Sequence, residues 1–125
     1  MPIHTEWFVP RRILITRVIG DTTIEEMRAD NQRRRQMTES LPHPVKQIFD
    51  LTQLHRFPLH IGSLITLWRD ENQFRPSFAV VYGKVHPVVL LLANIFSHTI
   101  MREIRVVATL KEALDVLAEH ESAHV

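Results

Sequence analysis

The 125-residue chain contains no cysteine, which excludes thiol nucleophiles, cysteine-ligated zinc and redox switching. It also has almost no net charge. Fifteen lysines and arginines stand against 14 aspartates and glutamates, a formal +1 with the histidines neutral. A dedicated nucleic-acid binder carries a large basic excess, because phosphate neutralisation supplies most of its affinity, so that class is set aside. Long apolar runs are missing too. The most hydrophobic stretch, Val88 to Phe96, is interrupted by Asn94 and followed by Ser97 and His98, short of the ~20 residues that a bilayer demands. Met1 to Phe8 includes His4 and Glu6 and lacks the apolar run of an export signal. No internal repeat, low-complexity segment or Gly/Ser linker interrupts the chain. The expectation is a cytoplasmic protein with no membrane span, no nucleic-acid partner and no cofactor.

What is present is the composition of one ordinary globular domain, with 45% hydrophobic residues. A domain of this size buries roughly two thirds of the surface its unfolded chain exposes, so a core forms without metal or bridges. We read residues 1–125 as that single domain, with 119–125 as a flexible tail.

Hydrophobic periodicity gives the elements. Glu6 to Val9 and Ile13 to Ile19 are rich in β-branched and aromatic residues, and the Pro10-Arg11 break between them predicts an antiparallel hairpin. Gly20-Asp21 ends its second strand. Thr22 with Glu25, or Thr23 with Glu26, then offers a capping box, in which hydroxyl and carboxylate satisfy the free amides of a helix start. That helix runs to about Ser40, with sparse apolar positions at Ile24, Met27 and Met37. Val45 to Asp50 reads as a short buried strand. Pro58 opens a helix striped by Ile61, Leu64, Ile65 and Trp68. Phe78 to Tyr82 is a strand ended by Gly83, and Pro87 opens an apolar helix through Phe96. Ile104 to Ala108 is the last strand, and Thr109 with Glu112 caps the closing helix. The order β β α β α β α β α predicts an α/β domain with a mixed, mostly parallel sheet, an antiparallel first strand at its edge and about four helices.

This order, with the strand end Phe49-Asp50-Leu51-Thr52 leading through a loop into a helix, resembles the STAS family, in particular its SpoIIAA-like branch, over roughly His4 to Glu119. The resemblance implies a regulatory module that acts through protein contacts. In bacterial members an Asp-Leu-Ser-like strand end leads to an Asp-Ser-Ser-Gly-like turn whose serine, at a helix start, is phosphorylated. Asp50-Leu51-Thr52 matches the strand end, but the turn reads Phe57-Pro58-Leu59-His60-Ile61-Gly62-Ser63. Leu59 or His60 falls where the phosphorylated serine is expected, and neither side chain takes phosphate in that way, so the phospho-switch is absent there. Ser63 stands one turn later, where a small hydroxyl is more often a cap or a filler. The branch is also similar to SEC14-type lipid carriers, which implies an apolar pocket lined by Leu64, Trp68, Phe78, Val88, Leu92 and Phe96. The simpler role for such residues is core, since helices hold to a sheet through them.

Three further patterns suggest chemistry. His120-Glu121-Ser122-Ala123-His124 is a literal H-E-x-x-H, which on a helix sets two imidazoles one turn apart with a base for zinc-bound water. A zinc hydrolase needs a third ligand and an enclosing cleft, and only Val125 follows, so His120 and His124 read better as a polar tail with adventitious metal affinity. A second group gathers at loops leaving strand ends, where open α/β sheets bind ligands. It comprises Asp50, Thr52, His55, His60, Ser63 and His86, a candidate ligand-binding set with no Ser-His-Asp spacing and no phosphate loop. The third pattern is Arg33-Arg34-Arg35 with Arg28. Successive helical residues point about 100° apart, so the run reads as a solvated face balanced by Glu25, Glu26, Asp30 and Glu39. The sequence thus points to a non-enzymatic regulatory or binding module that contacts a protein partner or a second copy as a homodimer. Binding of a small apolar ligand and zinc hydrolysis are the alternatives.

Overall fold

The first two strands, β1 (Ile3–Val9) and β2 (Ile13–Asp21), form the expected hairpin, with Thr5 opposite Thr16 and Trp7 opposite Leu14. The turn is made by Pro10, Arg11 and Arg12. Arg11 sits at φ 63°, and the Arg12 amide donates to the Val9 carbonyl at 3.0 Å. The register slips by one residue between Trp7 and Val9, a bulge beside the turn. The computed structural model describes residues 3–42, 45–56, 62, 63, 66, 78–83, 87, 90 and 104–123.

After the hairpin come α1 (Ile24–Thr38), β3 (Lys46–Arg56), β4 (Ala79–Gly83), β5 (Ile104–Val107) and α2 (Leu110–Ala123). Among the described residues, five strands lie side by side in sequence order; β1 pairs antiparallel with β2, and the three later pairings are parallel. The sheet is therefore the mostly parallel one expected, with β1 at an edge. Two complete helices are described rather than four. Residues 62, 63 and 66, and 87 and 90, are helical where the second and third helices were expected; Leu64, Trp68, Val88, Leu92 and Phe96 lie outside the described residues.

Alternation along the strands splits the core between the two faces. Ile15, Ile48, Phe78, Val80 and Tyr82 pack with Ala113 and Leu117 of α2. Leu14, next to Ile15, packs instead with Leu41 and Val45, joined by Trp7 and Met37. Leu14, Ile15, Ile48 and Val80 are almost completely shielded from water, each worth roughly 1.5–3 kcal/mol of apolar burial.

Several boundaries differ from the sequence reading. β3 continues to Arg56 because Leu51 stays buried and the backbone keeps pairing with β2 as far as Arg56, so His55 lies in a strand and not in a loop. α2 continues through Ala123, so residues 119–123 are helical and not a loose tail. Two contacts pin its last turn: His120 stacks on Phe78 with ring centroids 4.1 Å apart, and Glu121 pairs with Lys46 at 3.2 Å. At the start of α1 the box used is Thr23 with Glu26; each side chain bonds the other residue's backbone amide. At the start of α2 the Thr109 hydroxyl accepts from the Glu112 amide at 3.2 Å.

The arginine run is not uniformly solvated. Arg33 and Arg35 are exposed, but Arg34 and Asp30 are buried beneath α1. Helical spacing sets Asp30, Asn31 and Arg34 on the side facing the sheet. Arg34 donates to Asp30 at 2.8 Å, to Asn31 at 2.6 Å and to Gln47 of β3 at 2.7 Å. Its guanidinium also lies 5.1 Å from the Phe49 ring centroid, within cation–π range. Thr5 of β1 donates to Asp30 and shares a hydrogen bond with Thr16.

Candidate functional site

Parallel in-register pairing places Arg17 of β2, Asp50 of β3 and Tyr82 of β4 in one row across the sheet. Residues paired in this way share a face, and Thr52, two positions beyond Asp50, shares it too. Asp50 is the centre of the row. Its Oδ1 accepts from the Thr52 amide at 2.9 Å and from the Thr52 hydroxyl at 2.6 Å. The Tyr82 hydroxyl is a donor beside the carboxylate, and Arg17 Nε lies 3.9 Å from Oδ2. Arg17 in turn is ion-paired with Glu6 of β1.

Electrostatics follow from this crowding. Partial burial alone would raise the Asp50 carboxyl, but the Thr52 hydroxyl and amide, the Tyr82 hydroxyl and the Arg17 charge outweigh it and hold the group below the usual aspartate value. Tyr82 moves the other way. Burial, its bond to Asp50 and the negative charge of that carboxylate raise the phenol to about 12. Asp50 is thus a fixed anion and Tyr82 a fixed donor at neutral pH.

Glycine makes the arrangement possible. Gly83, at φ 106°, ends β4 where a Cβ would stand 2.6 Å from the Thr52 nitrogen and 2.8 Å from the Leu51 carbonyl carbon. Only a residue without a side chain allows so close an approach between β4 and the stretch of β3 that carries Thr52.

The remaining sequence candidates are scattered. His55 Nδ1 lies 2.8 Å from Asp21 Oδ1 where β2 and β3 end, and both side chains are exposed. Ser63 is helical and half-buried. His60, His86 and His124 lie outside the described residues. Phe78, the described member of the expected apolar lining, belongs to the core beneath α2. Among the described residues, no three His, Asp or Glu side chains converge as a metal site. His120 and Glu121 of the H-E-x-x-H pattern are engaged with Phe78 and Lys46.

Of the residues that the sequence suggests, Asp50 and Thr52 lie together in this row; Arg17, Glu6 and Tyr82 are not among them. The available signal was positional: Arg17 follows the run Ile13 to Thr16 within a strand, and Tyr82 immediately precedes the strand-ending Gly83.

With this geometry in hand, comparison with solved structures is informative. One match is a DUF3478-family protein with a SpoIIAA-like fold from Shewanella loihica PV-4, at TM-score 0.64 and 17% identity over 92% of this chain and 91% of that one. The chain has the SpoIIAA-like fold. The phosphorylated form of the Bacillus cell fate determinant SpoIIAA matches at TM-score 0.56 and 15% identity, over 92% of this chain and 98% of that one. The anti-sigma factor antagonist SpoIIAA in its unphosphorylated form matches at 0.55 and 15%, over 93% and 97%. Coverage of this extent makes the SpoIIAA-like fold a description of nearly the whole chain, as the STAS resemblance implied. No family model matches the sequence, and no curated protein does. No helix among the described residues is long and apolar enough to cross a membrane.

Proposed function

We propose that this chain is a non-enzymatic regulatory module of the STAS type that acts by contact with another protein. The observation that supports the reading most is the end-to-end structural likeness to an anti-sigma factor antagonist, over more than nine tenths of both chains. The row of Arg17, Asp50 and Thr52 fits a recognition role better than a catalytic one. Its carboxylate takes both donors of Thr52 on one oxygen and its arginine lies between two acids, an arrangement that fixes charge in place and favours the ionised carboxylate. The turn that carries a phosphorylated serine in bacterial STAS proteins reads Leu59-His60 here, so regulation by phosphate at that helix start is not part of the proposal.

Site-specific photo-crosslinking in the native cell tests the reading. A photoreactive residue at Thr52, exposed beside the row, is expected to trap one discrete protein species, and Arg17→Ala is expected to abolish the adduct. The same probe at Lys111, on the exposed side of α2, serves as control. Identical adducts from both positions, or none from Thr52, would count against the reading.

The hydrolase alternative has less support, because His120 and Glu121 already have structural partners. Protein purified without chelators is expected to contain zinc far below one equivalent, and His124→Ala to leave that content unchanged; one full equivalent lost in the variant would reinstate it.

A further inference from the structure

Two helices of nearly equal length dock on this sheet by different chemistry. α2, with 14 residues, inserts Ala113 and Leu117 into the core, flanked by Leu110 and Val116. α1, with 15 residues, buries Asp30, Asn31 and Arg34, all of them polar, while Ile24, Met27 and Met37 are half-buried. The sheet answers α1 with Thr5, Thr16 and Gln47, also buried and polar.

A buried ion pair gains little net free energy over its hydrated form, because desolvation offsets the attraction, whereas apolar burial accumulates with area. The middle of α1 is therefore held specifically but weakly. Its ends are fixed in other ways. The Thr22 amide donates to the Arg56 carbonyl at 3.2 Å, and Leu41 is buried with Leu14 and Val45.

The bonding also separates what belongs to the helix from what crosses the seam. Arg34 to Asp30 and Arg34 to Asn31 lie within α1, as does the Thr23–Glu26 box. Polar contacts that cross include Arg34 to Gln47, Thr5 to Asp30 and the placement of the Arg34 guanidinium over the Phe49 ring. If the seam parts, the helix keeps its cap and its ion pair, and both charges meet water already neutralised by one another.

We infer that α1 is a hinged element, which lifts from β1, β2 and β3 as an intact helix between its anchors at Thr22 and Leu41, at a lower free energy than global unfolding. The Arg34–Gln47 and Thr5–Asp30 bonds are its latch. Lifting uncovers Thr5, Thr16, Gln47 and Phe49 on one face of the sheet and leaves the α2 face closed. The device is independent of the protein-contact reading above.

Native-state hydrogen exchange on the full chain, followed by NMR as denaturant is added, tests this. Amides from Arg28 to Met37 are expected to exchange at least about tenfold faster than those from Ala113 to Glu119 and those of Ile48 to Leu51, with a shallow denaturant dependence typical of sub-global opening. Equal protection of the two helices, with the slope of global unfolding, would overturn the inference. Two variants separate a weak seam from ordinary fraying. Gln47→Leu removes one latch bond and is expected to accelerate α1 exchange several-fold while α2 is unchanged; uniform acceleration would refute the hinge. Asp30→Leu with Arg34→Leu makes the seam apolar and is expected to bring α1 up to the protection of α2; unchanged α1 rates in that folded variant would show that the polar seam is not the cause.

Discussion

Tyr82 and Asp50 face each other across the β3–β4 pairing, and the phenol is a donor beside a carboxylate that also receives both donors of Thr52. Tyr82→Phe keeps the packing and removes that donor. A hydrogen bond to a charged group contributes about 1.5–3 kcal/mol, so a loss in that range is expected in urea unfolding at pH 7. The Asp50 carboxyl should rise towards its ordinary value, a change that carbon NMR of the side chain reads directly.

The same pair predicts pH dependence at both extremes. Tyr82 has a folded value of about 12 against about 10 unfolded, so its contribution is complete below pH 10 and is lost as pH rises towards 12. That amounts to at most about 3 kcal/mol, and Tyr82→Phe should flatten this alkaline limb of the stability curve. Asp50 has the opposite sign. Its folded value lies below the unfolded 3.8, so its stabilisation is present above that pH and disappears as acid carries the solution through the folded value. An Asp50→Asn variant should lose that part of the acid limb.

Gly83 and Gly20 both adopt positive φ, but their surroundings differ. A Cβ at Gly20 meets nothing within 4 Å, whereas one at Gly83 collides with the backbone of Leu51 and Thr52. Gly20→Ala is expected to cost about 1–2 kcal/mol, the strain of the left-handed region alone. Gly83→Ala should cost clearly more, at least ~3 kcal/mol with the clash added, and should shift the Thr52 amide resonance. Equal losses at the two positions in thermal unfolding would contradict this account.

Asp30 and Arg34 should be strongly coupled. Removing one partner leaves a buried charge, so Asp30→Ala and Arg34→Ala are each expected to cost about 3–5 kcal/mol. The double variant should cost much less than the sum, and the excess measures the pair. Additive losses in chemical denaturation would mean that the two charges do not stabilise one another in the folded protein.

The architecture was readable because its signals are local. The breaker Pro10-Arg11, the capping threonines Thr23 and Thr109 and the alternation of helical and β-favouring segments act within a few residues of one another, and the parallel sheet follows from the crossovers they imply. The candidate site was only half readable. Asp50 and Thr52 are two residues apart in one strand, whereas Arg17, Glu6 and Tyr82 join them through register, which sequence does not state. The role of Arg34 was misread for a related reason. A helix with few apolar residues looks solvated on every side, and nothing in its own sequence shows that Gln47, Thr5 and Phe49 wait on the sheet to receive its polar face. The polar stretch Thr52 to Arg56 carries no strand alternation and so predicts a loop at His55; backbone pairing with β2 carries the strand through it.

The side-by-side sequence order of the strands has a consequence for synthesis. No strand has to enter between two neighbours that are already paired; each joins the open edge left by the one before it. As the chain is made, the hairpin can form first and the sheet can widen strand by strand, each parallel strand joining only after its crossover has been made. The closing helix is the exception. It follows β5 yet reaches back to Phe78 and Lys46, so these two contacts form only after β5 has been made.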